Sequence, residues 1–153
     1  MKFIKRRLAI LLLLALPAVT IADLVPVHVN DDIHYVTGGV GLEESSAIEE
    51  MRKDYPLSMV FAETTSNGRN QFLHGVQVEI RRDNDLILEA YTGGPYLLVQ
   101  LPPGDYEVTA THLGVPKTQA IKVDTRPRRI GWTWPAPKDE VDPNQQSPAP
   151  IAQ

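Results

Sequence analysis

Three groups of residues in this 153-residue sequence have the types and spacing to do chemistry. The first is "HYVTGGVGLEESSAIEEM" (34–51), where Gly38, Gly39 and Gly41 stand between an apolar run and an acidic, helix-spaced segment. Strand, glycine turn and helix is the layout of a phosphate-binding loop. There, backbone N–H groups and the positive helix end hold the anion, and a Lys and a hydroxyl complete the site. The second group is "HVNDDIH" (28–34), which gathers His28, His34, Asp31 and Asp32, the imidazole and carboxylate types that ligate metals. The third is the pair Trp132 and Trp134, one residue apart, whose side chains on a strand face the same way and suit stacking on a sugar ring.

The spacing argues against chemistry in most of these. "GGVGLEES" matches neither GxxxxGK[ST] nor the GxGxxG fingerprint, and no Lys or Arg lies within the ten residues after Gly41. Glu43 and Glu44 fall in the first helical turn, where carboxylates already complement the helix dipole and repel a phosphate. An ordinary glycine turn before an acidic helix start is expected, and close approach of a partner's backbone is favoured over phosphate chemistry as any role beyond turning. The histidines lack HxxxH or Cys-pair spacing, so "HVNDDIH" reads as a solvated polar loop, and His74 and His112 read as surface residues at element ends. Trp132 and Trp134 are in phase with Ile130, so finishing the core at the sandwich end is the favoured reading. They remain the ligand-binding candidates, with a glycan as the ligand. There is no GxSxG, no HxxE and no cysteine, so no catalytic residue, metal or cofactor is expected.

The elements that would carry these residues follow from periodicity. Ala47, Ile48, Met51 and Tyr55 share one face of a helix over 43–54, and Pro56 stops it. From Leu57 to Trp134 the pattern has period two, in seven runs: "LSMVFAE", "VQVEIR", "LILEAYT", "YLLVQL", "DYEVTAT", "TQAIKVD" and "RRIGWTW". Short half-buried strands with turn residues between them predict an antiparallel seven-stranded β-sandwich with one added N-terminal helix. "RPRR" (Arg126, Arg128, Arg129) is the one basic cluster and reads as a solvated turn with edge-strand protection.

The ends divide the chain further. Lys2, Lys5, Arg6 and Arg7 precede the apolar "LAILLLLALPAV", and "TIA" offers small residues before Asp23, which is the pattern of a cleaved signal peptide over residues 1–22. That stretch holds four of the fifteen basic residues and none of the nineteen acidic ones, leaving eleven against nineteen and a net charge of −8 for the exported chain. An acidic chain without a basic face is a poor nucleic-acid binder, and no stable membrane insertion is expected once the leader is gone. A periplasmic or secreted location follows. Residues 23–56 read as an N-terminal extension, 57–135 as the sandwich and 136–153, rich in Pro, Gln and acid, as a disordered tail.

One turn is more distinctive. In "LPPGDYEV", Pro103 presets φ for the second position of a type II turn. Gly104 is expected to supply the positive φ at the third, and Tyr106 to point inward and bond back to nearby backbone. With this turn, "GGPYLLVQLPPGDYEVTATHLGVPKTQAIKVD" resembles the carboxypeptidase regulatory-like domain, a prealbumin (transthyretin)-like sandwich, over about half of the chain, and the small exported bacterial proteins that carry it. The resemblance implies a mainly β, prealbumin-like fold and a non-catalytic accessory or adhesive role toward an envelope protein or a glycan. Hydrolases on the transthyretin-like sandwich are the enzymatic alternative, but their Tyr-Arg-Gly-Ser ending is replaced here by the proline-rich tail.

Overall fold

A computed structural model describes residues 25–137. The expected leader and residues 138–153 lie outside the described residues. The described residues form ten strands and one α-helix. They are β1 (Val27–Asn30), β2 (Ile33–Gly38), α1 (Leu42–Met51, extended by a 3-10 turn Arg52–Asp54), β3 (Leu57–Thr64), β4 (Asn70–Phe72), β5 (Gln77–Arg82), β6 (Asp85–Tyr91), β7 (Tyr96–Val99), β8 (Gly104–His112), β9 (Val115–Val123) and β10 (Arg128–Pro135). One sheet has the order β1-β2-β7-β3-β10, with β4 added to β3; the other has the order β6-β5-β8-β9.

All seven alternating runs form strands, and the count of seven is low by three. The additional strands are β1, β2 and β4. The first two lie in the stretch expected as an extension and are built into the first sheet, with β2 pairing with β7 from Tyr35↔Val99 to Gly38↔Tyr96. "HVNDDIH" is a β-hairpin and not a loop: Asn30 faces Ile33 across the two-residue turn Asp31–Asp32, and Asp31 takes φ 51. Its polar composition hides the strands because β1 is an edge and keeps both faces largely wet.

The sandwich also departs from wholly antiparallel pairing. β10 runs parallel to β3, from Arg128↔Leu57 to Pro135↔Thr64. After β9 the chain turns at Asp124, whose carboxylate accepts the Arg126 N–H at 2.8 Å, and crosses from one sheet to the other. It therefore enters beside the start of β3 and runs the same way. Lys117 on β9 donates to the Thr133 carbonyl, and the Arg128 guanidinium donates to the Lys122 carbonyl at 3.2 Å, so basic side chains join the two neighbouring edges. Arg129 reaches the other way, to Glu49 on α1 at 3.0 Å.

Two apolar layers result. Between the sheets lie Leu57, Met59 and Phe61 of β3, Val78 and Ile80 of β5, Tyr106, Val108 and Ala110 of β8, and Ile130, Trp132 and Trp134 of β10. Outside the first sheet, Ala47 and Ile48 of α1 cover Val36, Tyr96 and Leu98, with Met51 and Tyr55 at the margin, as the helical spacing predicts. β7 serves both layers: Leu97 and Val99 face the second sheet, and Tyr96 and Leu98 face the helix. This explains why "YLLV" is a continuous apolar run, since a strand covered on both faces has no polar phase.

Candidate functional site

The glycine loop is filled by the chain itself. Glu44 folds back from the first turn of α1, and its carboxylate accepts the Val40 N–H at 3.0 Å. A Cβ on Gly38 would overlap that carboxylate, and one on Gly39, at φ 96, would overlap the Tyr96 ring. Gly94 approaches so closely that a Cβ there would overlap the Gly38 carbonyl. The backbone that comes close is thus the chain's own. The remaining hollow at Gly41 is flanked by Glu43 and Glu44, a negative lining for any anion.

The turn before β8 is built differently from its expected type. Gly104 does not take a positive φ; it is the first residue of β8, paired with Val123 and therefore extended. The change of direction is made by Pro102 and Pro103, whose rings fix φ before the strand begins. Tyr106 does what was expected: it is buried, and its hydroxyl donates to the Pro102 carbonyl at 2.6 Å. The Arg82 guanidinium lies 5.7 Å from its ring centre and close to where a Gly104 Cβ would sit. The Tyr106 ring caps the core at this end, with more open surface hollows of about 250 and 280 Å³ beside it.

The two hairpin histidines cannot share an ion. His28 pairs with Tyr35 and stacks on its ring at 5.1 Å, whereas His34 pairs with Val29, so the imidazoles lie on opposite faces of the hairpin. Among the described residues no cluster of three or more His, Cys, Asp or Glu side chains could hold a metal.

Trp132 and Trp134 take the core alternative. They are 1% and 2% exposed, with rings stacked at 6.5 Å and an interplanar angle of 20°. Their faces are turned into the sandwich and offer no platform for a sugar. The reason is the register: β10 places Trp132 beside Phe61 and Trp134 beside Glu63, all on the inner face of the first sheet. The Trp134 N–H donates to the Val115 carbonyl at 3.0 Å, which ties β10 to β9 across the sandwich. The Trp132 N–H, fully buried, meets no acceptor among the described residues.

Chemistry-bearing side chains converge instead at the end of the sandwich where β3, β8 and β10 finish. Glu63 continues the inner face of β3 after Leu57, Met59 and Phe61, and it is 8% exposed. His112 continues the inner face of β8 after Tyr106, Val108 and Ala110. Its Nε2 stands 4.0 Å from the Glu63 carboxylate, both side chains being mostly buried. The imidazole edge meets Trp134 with ring centres 5.7 Å apart, and the Lys117 ammonium lies 5.5 Å from the centre of the Trp134 ring. No hydrogen-bond donor reaches the Glu63 carboxylate among the described residues; 4.0 Å is too long for a hydrogen bond.

The rim of this end is apolar and strained. Leu113 and Gly114 form the two-residue turn between β8 and β9, with φ 48 and φ 76. Two positive φ values suit the twist of a hairpin, but the first position favours Asn, Asp or Gly. A leucine there costs roughly 1–2 kcal/mol in backbone conformation, and it is also 73% exposed, next to Val115 at 52%. With His112, Trp134, Pro135 and Pro137 they enclose a concavity of about 280 Å³. The arrangement can accept an apolar group at the rim and a hydrogen-bond donor toward the imidazole and carboxylate.

Sequence reasoning missed Glu63 and gave His112 to the surface. The signal was phase: each lies two residues beyond an inward-facing residue, a titratable side chain at a position that alternation assigns to the core. No family model matches this chain, and no curated protein matches its sequence.

Proposed function

We propose that this protein is an exported, non-catalytic binding module of the cell envelope, built on a carboxypeptidase regulatory-like, transthyretin-like sandwich. The observation that carries the reading is the open end, where a strained, exposed leucine and an exposed valine rim a hollow lined by His112 and Trp134, with Glu63 beside the imidazole. Strain and exposed apolar surface persist where they serve a contact. Export is supported by the basic-then-apolar start of the chain, and the family reading by "LPPGDYEV" with its inward tyrosine.

The tagged mature chain and its Val115→Glu variant, each incubated with envelope extract, test the reading. Material retained by the first and lost from the second is the expected result. Equal retention by both, or none by either, contradicts it.

A further inference from the structure

We propose that the open end takes a small organic ammonium ion, its apolar stem between Leu113, Val115 and Trp134 and its charged head toward the His112–Glu63 pair. The proposal rests on the binding reading above and names the ligand class.

Four features of this end select that class. Size comes first: a hollow of about 280 Å³ lies at the lower edge of the range for small-molecule sites. It suits a ligand of one ring or a short alkyl chain. Polarity comes second. The rim offers Leu113, Val115, Pro135 and Pro137, so the outer part of the ligand is apolar. The third is the charge next to the hollow: Glu63 is not among its lining residues but stands 4.0 Å from His112, which is. Glu63 is an acceptor-only group when ionised, 8% exposed, with no donor in hydrogen-bond reach among the described residues. A carboxylate in such a place favours a nearby positive charge and N–H donors over neutral or anionic groups. His112 lines the hollow directly, and in its neutral form has one acceptor nitrogen for an N–H of the ligand.

The fourth observation concerns the cation already nearby. Lys117 is held by the Thr133 carbonyl and by the Trp134 ring, and it is not within ion-pair distance of Glu63. It uses the tryptophan face that a ligand cation would otherwise prefer. The ligand's charge is therefore directed to the carboxylate side. Leu113 fits the same scheme: its side chain would be covered by the ligand stem, which offsets its exposure while the turn keeps it projecting over the hollow.

The test is calorimetric titration of the full mature chain with benzylammonium chloride and, separately, with neutral benzyl alcohol. Each is repeated on Glu63→Gln, whose folding is checked by near-UV circular dichroism. A Coulombic contribution at this depth predicts that wild type prefers the ammonium by at least about tenfold and that the variant loses most of that preference. Equal affinity for the two compounds in the wild type overturns the ammonium class and leaves a binding end that takes neutral ligands. Absence of saturable binding of either compound overturns the proposal and counts against the hollow as a small-molecule site. Sedimentation of the same samples gives the last arm: dimerisation that buries the rim and is abolished in Val115→Glu would assign the hollow to a second copy and overturn the proposal.

Discussion

Strand β8 finishes in two different ways, and the contrast marks out the proposed site. At its beginning Tyr106 points inward and its hydroxyl donates to Pro102, so the polar tip of a buried aromatic ring is answered by the chain four residues away. At its other end His112 points inward with equal regularity and meets Glu63 at 4.0 Å, a distance that answers neither group. At the first end two prolines fix the backbone without strain and the buried tyrosine caps the core. The second is turned by Leu113, an exposed apolar residue in a left-handed conformation. One strand thus shows how the chain caps a sandwich when only stability is needed, and the other terminus departs from that solution in two independent respects, the His112–Glu63 pair and Leu113. Departures from local rules that cluster in one place mark a site where something other than folding has set the residues.

Substitutions can widen or erase this contrast. The largest effect is expected at the capped end. Tyr106→Ala removes a buried ring and its hydrogen bond, and should lower unfolding free energy by about 3–5 kcal/mol in urea denaturation. A loss below about 1 kcal/mol would mean that this end is not the structural one. At the open end the sign should reverse. Glu63→Leu replaces a mostly buried carboxylate that no donor among the described residues reaches by an apolar group of similar size and should raise stability by about 1–3 kcal/mol, measured the same way. Destabilisation there would show that the carboxylate already has a partner.

The tryptophans give a finer comparison. Trp134→Phe loses the bond to the Val115 carbonyl, whereas Trp132→Phe removes an N–H that has no acceptor among the described residues. The first should be more destabilising than the second by about 1 kcal/mol, and thermal unfolding of the two variants side by side reads the difference. The smallest effect belongs to the rim. Leu113→Asn creates the Asn-Gly sequence that such a turn prefers, and should gain about 1 kcal/mol while weakening ligand binding. A gain in stability with unchanged binding would separate the strain from the site.

The fold was legible where alternation was clean. Val76, Val78 and Ile80 on one face with Gln77, Glu79 and Arg81 on the other could only be a half-buried strand, and the Asp83–Asn84 turn after them takes two positive φ values, as a tight hairpin requires. The helix was legible because Ala47, Ile48 and Met51 fall on one face before Pro56. What escaped was set by tertiary context. β1 is a wet edge whose polar sequence carries no period, and β4 has only three residues. The parallel placement of β10 depends on where the chain crosses after Asp124, which no local pattern encodes. Gly104 illustrates the same limit, since pairing with Val123 overrode a turn preference read from "PPG". The candidate site was the least legible. Glu63 and His112 are 49 positions apart, and only the stacking of two sheets brings them together. Gly38, Gly39 and the two tryptophans, singled out for their chemical character, are packing residues, and for the tryptophans the in-phase Ile130 already favoured that reading.

The direct test of the contrast between the two ends is a ¹⁵N-resolved titration of the mature chain with benzylammonium. The account predicts shifts at the Trp134 indole N–H and the amides of His112, Leu113 and Val115, with the amides of Tyr106 and Gly104 unmoved. Shifts concentrated at the capped end, or spread evenly along β8, would contradict it.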